Sequence, residues 1–254
     1  MDLFILIYII ILGILIGSFL NVVAYRIPRE ESISYPPSHC PNCNYRLKFY
    51  DLIPIFSYIA LKGKCRNCKS RISIKYPIVE LITGLLFVFT VYHFGLSFEA
   101  LQYLIIIGFL IPVFIIDLEH SIIPDGLNIG ILVVSIFSVL IQIYTGDKVW
   151  SDLINHGLGL LLGGGFFLLI AMVTNGAMGG GDIKIMGALG FLFGVKNTLL
   201  LMFLSFVIGG VLSLILIGLK IKTRKDYIPF GPFICIAAMI TIFWGQEILQ
   251  WYLP

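Results

Sequence analysis

Charged residues are scarce in this 254-residue chain: Asp, Glu, Lys and Arg make up only 12% of it, whereas 59% is hydrophobic. That shortage excludes an ordinary soluble domain, because a water-soluble fold of this size cannot bury so much apolar surface. Basic residues are also missing ahead of the first apolar run, which follows Asp2 and ends at Tyr25 without a small-residue cleavage site. We therefore predict a permanent membrane anchor there and not a cleaved signal peptide.

Apolar runs of membrane-spanning length recur along the chain. Each is close to the ~20 residues that a bilayer-crossing helix needs, and together they cover 3–25, 77–94, 98–116, 126–144, 153–173, 197–219 and 228–250. A shorter run at 183–195 is ambiguous by length. The predicted fold class is an all-α polytopic membrane protein with about eight transmembrane helices and a small cytoplasmic insert resembling a zinc ribbon. Its predicted parts are the first anchor (1–25), the insert (26–76) and a seven-span membrane core (77–254).

The positions of Lys and Arg predict the orientation of these helices, because cytoplasmic loops are enriched in both. Ten basic residues fall within 26–75. If 183–195 crosses the membrane, the same side also receives Lys184 and the cluster Lys220, Lys222, Arg224 and Lys225. This bias favours eight spans with both termini outside. The formal net charge of +3 follows from it, and we expect no nucleic-acid partner.

Two cysteine pairs mark the insert. Cys40, Cys43, Cys65 and Cys68 form a C-x2-C…C-x2-C set with 21 residues between the pairs, which is typical of two knuckles around one tetrahedral zinc ion. About fifty residues bury too little core to fold unaided, and a structural metal supplies the missing free energy. A pair of disulfides is the alternative, although a cytoplasmic loop lies in a reducing compartment.

Two aspartates are predicted at membrane depth, where burying a charged side chain has a high free-energy cost. Asp117 follows LIIIGFLIPVFII without a polar break, and Asp182 follows three glycines at the start of an apolar run. An even number of crossings separates them, so both are expected at the same membrane border. If they meet there, they share one proton and can divide the base and acid work of an aspartic protease. Glu80, Glu119 and Asp125 are interpreted as helix-end charges that reach water.

The glycines before Asp182 suggest close approach of a substrate backbone. Gly179 and Gly181 would remove side-chain clashes beside the acid pair, and glycine also permits positive φ. A phosphate cradle is the alternative, but the sequence lacks the preceding strand and the following Lys-Ser/Thr. A strand–glycine–helix cofactor fingerprint is lacking as well.

Taken in order, these motifs resemble those of the type IV prepilin peptidases, intramembrane aspartic proteases with a Gly-x-Gly-Asp motif. GSFLNVVAYRIP at 17–28 is similar to the exit of the family's first span, and ISIKYPIVELITG at 72–84 follows the cysteine pairs as expected. DLEHSIIPD at 117–125 resembles the first catalytic motif, and GGGD at 179–182 resembles the second.

The resemblance implies a reaction. Family members cut the basic leader from type IV prepilins and pseudopilins at the cytoplasmic face of the bacterial inner membrane, after Gly and before a hydrophobic residue such as Phe. Many then N-methylate the new terminus with S-adenosylmethionine. The expected partners are prepilin substrates, the lipid bilayer, and pilus or secretion assembly machinery.

The resemblance also implies a site on the matching positions. Asp117 and Asp182 would carry proteolysis, Gly179 and Gly181 would shape the approach of the substrate, and the four cysteines would hold zinc. The residues of the methyl-donor site stay unassigned.

Two other functions remain open from the sequence. A transporter or ion pathway would account for two buried acids but not for the cysteine set, and the halves of the chain show no clear internal repeat. A non-catalytic scaffold that docks a pilus or secretion machine through the insert is the second. It predicts that Asp182→Ala still supports assembly, whereas a peptidase loses prepilin cleavage.

Overall fold

The computed structural model describes residues 3–176, 178–223, 226 and 228–252, so Arg224 and Lys225 of the basic cluster lie outside the described residues. The described part of the chain is helical. It contains two isolated β-bridges, and none of its described residues form a strand longer than such a bridge. Its helices are α1 (Leu3–Arg26), α2 (Phe56–Ala60), α3 (Lys75–Phe94), α4 (Phe98–His120), α5 (Asp125–Thr145), α6 (Trp150–Val173), α7 (Gly180–Gly218) and α8 (Gly231–Tyr252).

Among the described residues, seven helices are long and apolar enough to cross a membrane, and α2 alone is too short. This confirms the predicted all-α polytopic membrane fold. By compactness the chain divides into two units, residues 1–104 and residues 105–254. The predicted boundaries after residues 25 and 76 follow composition instead and stay a prediction.

In the first unit, α1 packs against α3 through small residues. A Cβ atom added to Gly13 would lie 2.8 Å from the Cα of Gly84, and one added to Gly17 would lie 2.8 Å from the Cα of Glu80. Backbones that approach this closely are typical of membrane helices, where association depends on packing and not on exclusion of water.

Two buried charged side chains tie the insert to these helices. The Arg26 guanidinium donates to the carbonyls of Ser32, Ile33 and Pro36 at 2.8, 3.1 and 2.6 Å. The Glu80 carboxylate accepts the backbone N–H of Ile55 at 2.8 Å and is buried. The interpretation of Glu80 as a helix-end charge reaching water is therefore wrong, because the folded insert covers it and uses it as an acceptor.

In the second unit, the backbone of α7 breaks at Gly194, where φ is 68° and ψ is 178°. Before the break, α7 runs antiparallel to α6, since Gly159 contacts Gly190. After the break the chain returns alongside α6, since the rings of Phe167 and Phe206 are 5.6 Å apart. The glycine is required because a left-handed φ favours a residue without a Cβ.

The reversal divides α7 into an outgoing arm, 180–193, and a returning arm, 195–218. The ambiguous run predicted at 183–195 is the outgoing arm, and it folds back as a separate pass beside the longer one. The eight predicted passes therefore correspond to seven helices of spanning length in the described chain. Two of the eight passes are the two arms of α7, on either side of Gly194.

This reversal brings the start of α7 and its returning arm to the same end of the second unit as the α4–α5 turn and the start of α8. Gly181 at the start of α7 contacts Ile123 of the α4–α5 turn, and Gly209 in the returning arm contacts Phe233 near the start of α8. At the opposite end, Gly245 of α8 contacts Asn197. Both predicted catalytic aspartates lie at the end defined by Ile123, which we call the acid end.

Candidate active site and metal centre

Asp117 is held by the first residue of α8. Its carboxylate is 3% exposed, and its Oδ2 accepts the backbone N–H of Gly231 at 2.9 Å. That amide is free to donate because the first N–H groups of a helix have no partner within the helix. A Cβ atom on residue 231 would lie only 2.6 Å from the same oxygen. Glycine at this position is therefore a condition for the observed placement of Asp117.

Asp182 lies in the first turn of α7 and is also buried, at 5% exposure. A Cβ atom on Gly179 would lie 3.0 Å from its Oδ2. Its Oδ1 has no hydrogen-bond partner among the residues that the structure describes. Buried polar atoms are nearly always paired, so an unpaired carboxylate oxygen indicates a position that a substrate or a water molecule fills.

Ile123 packs against the start of α7, which carries Asp182, and against Gly231, which bonds Asp117. A Cβ atom on Gly181 would lie 2.8 Å from the Cβ of Ile123, and a Cβ atom on Gly231 would lie 3.0 Å from its Cδ1. Gly231, which bonds Asp117, and Gly181, which precedes Asp182, thus both contact Ile123. The structure places the two aspartates at the same end, as expected from span counting, whereas their catalytic roles stay a prediction.

The glycines before Asp182 have backbone conformations that other residues also adopt. Gly179 has φ −68° and ψ 144°, and Gly180 and Gly181 are helical, so none of the three uses the positive φ that glycine permits. Gly181 is explained by its contact with Ile123. A Cβ atom on Gly180 would meet no described atom within 4 Å, so the open space lies beside that residue. A substrate approach shaped by Gly179 and Gly181 stays a prediction.

An exposed ion pair joins α5 to α7 at the rim of the acid end. The Lys184 Nζ lies 2.7 and 2.8 Å from the two carboxylate oxygens of Asp125. Both side chains are more than half exposed. The interpretation of Asp125 as a helix-end charge in contact with water is therefore confirmed, and this carboxylate is distinct in environment from the buried pair.

The four cysteines of the insert form one cluster. Their sulfur atoms all lie within 4.8 Å of one another, with 3.9 Å between Cys40 and Cys68 and 4.0 Å between Cys43 and Cys65. A tetrahedron with ~2.3 Å Zn–S bonds has sulfur atoms about 3.8 Å apart. All four thiols are free, which favours a metal over the alternative of two disulfides. The cluster fits a metal ion.

The two knuckles repeat each other. An antiparallel bridge between His39 and Arg46 closes the first, and one between Lys64 and Arg71 closes the second. Each knuckle also donates an amide N–H to the other, from Asn42 to the Cys68 sulfur and from Asn67 to the Cys43 sulfur, both at 3.7 Å. These donors favour thiolates, the form that binds metal.

The Cys68 thiol has the clearest shift in ionisation. Hydrogen bonding from the Ser70 side chain, followed by its backbone N–H, lowers the pKa of Cys68 to about 5. The sulfur and the Ser70 hydroxyl are 3.1 Å apart. This shift favours the thiolate form of Cys68, which is the form that binds a metal ion.

Two residues of the acid end were missed by reasoning from the sequence. Gly231 follows a loop, in the stretch PFGPF, and contacts an aspartate 114 positions earlier. No feature of the sequence around Gly231 predicts that contact. Asn128 lies in the first turns of α5 and is 4% exposed. Its position three residues after Asp125, on the apolar stripe of a span, was the available signal.

The fold and the site define a class: a polytopic helical membrane protein with a buried aspartate pair at one end and a four-cysteine insert. Residues 11–94 match the Bacterial Peptidase A24 N-terminal domain, and residues 104–214 match the Type IV leader peptidase family.

Curated relatives match the chain over nearly its full length. Each is a prepilin leader peptidase/N-methyltransferase. The protein of Bacillus subtilis is 34% identical over 96% of this chain and 96% of its own length. That of Legionella pneumophila is 33% identical over 94% and 91%, and that of Pseudomonas aeruginosa is 32% identical over 96% and 92%. Comparison with solved structures gave no match. The chain belongs to the type IV leader peptidase family.

Proposed function

We propose that this chain is a membrane aspartic endopeptidase that removes the basic leader from type IV prepilins or pseudopilins and then N-methylates the new terminus. The observation that carries the peptidase activity is the burial of Asp117 and Asp182 at the same end of the membrane core, where glycines beside both acids contact Ile123. The names of the curated relatives, prepilin leader peptidase/N-methyltransferase, support the substrate class and the second activity.

The two carboxylates divide the work of hydrolysis. Two buried carboxyl groups within a few ångströms of each other share a single proton. The ionised partner removes a proton from the attacking water while the protonated partner donates its proton to the carbonyl oxygen, which gives a tetrahedral diol. The partner that took the water's proton then donates it to the leaving nitrogen, and the other partner takes a proton back from the diol as the new carboxyl group forms. Gly231 orients Asp117 through its N–H, which leaves the unpaired Oδ1 of Asp182 as the free acceptor on the other acid.

The acid end faces the cytoplasm in this proposal. Lys184 lies near the start of α7 at that end, Lys220 and Lys222 follow the end of its returning arm, and the insert at 26–75 carries ten further basic residues. Cytoplasmic loops are enriched in Lys and Arg. By span parity the insert and the acid end share this side of a bacterial inner membrane, and both termini lie outside. A prepilin with a cytoplasmic leader and a membrane-embedded helix presents its junction at this border.

The metal of the four-cysteine cluster is zinc in this proposal, and its contribution is to fold the insert. Cys40, Cys43, Cys65 and Cys68 would hold it. The methyl donor is S-adenosylmethionine, as in the family. The described residues contain no strand leading into a glycine-rich turn that would hold its adenosyl group, and we assign no residue to it.

Co-expression with a prepilin tests the proposed function. The parent chain is expected to yield a shortened product whose mass corresponds to cleavage after the glycine, with the mass of one added methyl group if the second activity is present. Asp117→Asn and Asp182→Asn are expected to abolish the shortened product. Asp152→Asn, which alters a carboxylate capping the start of α6, serves as the matched control and should cleave like the parent.

Two results would count against the peptidase. Uncut prepilin with the parent chain would exclude this substrate class, and full cleavage by both Asp→Asn variants would remove the acid pair from the reaction. Pilus assembly without cleavage would favour a scaffold instead.

A further inference from the structure

Asn128 is an anomaly in the core of the second unit. Its carboxamide is almost fully buried, yet neither the Nδ2 nor the Oδ1 has a hydrogen-bond partner within the part of the chain that the structure describes. An unpaired buried amide costs about 1–3 kcal/mol. Packing alone does not explain why an apolar stripe contains such a residue.

The position of Asn128 places it at the acid end. It belongs to the buried stripe of α5, which continues through Ile131 and Ser135, and α5 packs against α7. Both helices start at the acid end, where Asp125 of the first turn of α5 pairs with Lys184 of α7. Asn128 lies about one turn along α5 from Asp125, and Asp182 lies in the first turn of α7.

We infer that Asn128 forms a binding site for a peptide group of the substrate backbone next to the cleaved bond. A carboxamide presents one donor and one acceptor in a plane, and a peptide unit in an extended chain offers the complementary acceptor and donor. The unpaired Oδ1 of Asp182 lies at the same end. The ligand is thus an extended polypeptide backbone, recognised independently of its side chains.

Cleavage at a membrane border requires hydrogen-bond partners for the backbone of the substrate. A transmembrane substrate must be unwound locally, and its freed N–H and C=O groups must find partners inside the protein. Asn128 supplies one pair of partners. The cost of its unpaired state is offset only when the substrate is bound, so the interaction belongs to the complex and not to the stability of the free enzyme.

The inference about Asn128 rests on the proposed peptidase function. It is tested by measuring the rate of prepilin cleavage by the full chain in lipid vesicles. The probe is a prepilin with a basic leader followed by Gly and Phe, and initial rates are measured over a range of its concentration. Asn128→Leu keeps the size of the side chain and removes both polar atoms. Asn128→Ser keeps one polar group, a hydroxyl that can donate or accept. Ser135→Ala is the matched control, since it removes a buried polar group from the same stripe, where the hydroxyl donates to the Ile131 carbonyl at 2.7 Å.

The substitution at Asn128 is expected to lower activity without lowering stability. Asn128→Leu should lower kcat/KM about 10- to 100-fold, the size expected for one or two hydrogen bonds to the substrate, and leave the Tm unchanged or raised. Asn128→Ser should recover part of the loss, whereas Ser135→Ala should keep the parent's kcat/KM.

Three outcomes would overturn the inference. The first is an Asn128→Leu variant that keeps the parent's kcat/KM. The second is a loss of activity that follows a lowered Tm in both Asn128→Leu and Ser135→Ala, because that pattern indicates a structural role. The third is a parent chain that cuts no prepilin, which would overturn the proposed function as well, whereas the first two leave the proposed function standing.

Discussion

Gly231→Ala is the substitution that the structure makes most informative. The added Cβ would lie 2.6 Å from Oδ2 and 3.0 Å from Cγ of Asp117, and 3.0 Å from Cδ1 of Ile123. Ordinary contact begins near 3.4 Å, so the Asp117 carboxylate has to move by about 0.8 Å. It cannot keep the 2.9 Å hydrogen bond to the residue 231 amide while it does so.

The expected loss follows from that displacement. A misplacement of ~1 Å in a catalytic group costs about 100-fold in rate, which corresponds to about 2.7 kcal/mol of transition-state stabilisation. We expect Gly231→Ala to lower the kcat/KM for prepilin cleavage by roughly this factor. Folding should persist, because the change adds a single methyl group at the end of a helix.

Gly210→Ala is the matched control for this assay. Gly210 lies in the returning arm of α7, and a Cβ atom there would meet no described atom within 4 Å. Cleavage is followed by the shift of the prepilin band over time in lipid vesicles, with Tm measured on the same preparations. A Gly231→Ala variant that cuts prepilin within about twofold of the parent would refute the placement of Asp117 by the start of α8.

Three further predictions follow from close contacts and from the metal cluster. Gly159→Ala should lower the Tm by several degrees, because the added Cβ would overlap the carbonyl of the facing arm of α7; Gly157→Ala, where the structure describes no atom within 4 Å, should leave the Tm as it is. Gly181→Ala should slow cleavage, and adding Ile123→Ala to the same chain should restore part of the cleavage rate, because the clash at 2.8 Å is between these two residues. A double variant as slow as Gly181→Ala alone would contradict this clash as the cause. Cys65→Ser should reduce zinc from about one ion per purified chain to a small fraction of that, measured by elemental mass spectrometry, and an unchanged zinc content would exclude the four-cysteine site.

Local features of the sequence predicted much of this molecule. Hydropathy predicted the spans because a lipid-facing helix has to be apolar over a fixed length. The spacing of Cys40, Cys43, Cys65 and Cys68 predicted the metal cluster, since two short knuckles bring their ligands together with little help from the rest of the chain. Counting crossings placed Asp117 and Asp182 at one border without any knowledge of packing.

What the sequence could not predict depends on contacts between distant segments. Glu80 looks like a helix-end acid, and only the folded insert shows that Ile55 covers it. Gly231 and Asp117 are joined through space by the packing of α4 and α8. Hydropathy indicates whether a residue lies in water or in an apolar environment, but not which residues it contacts. Before the fold is known, a buried polar side chain without a hydrogen-bond partner, such as Asn128, therefore looks the same as one that has a partner.

The break at Gly194 has a further consequence for the surroundings of the acid pair. At 1.5 Å per residue, the outgoing arm at 180–193 rises about 21 Å, whereas the hydrocarbon layer of a bilayer is about 30 Å thick. Residues 185–192 of this arm are all buried, so neighbouring helices and not lipid surround this short pass. The depth at which Asp182 lies therefore depends on how the arm packs against those helices, and not on a match between its own length and the thickness of the bilayer.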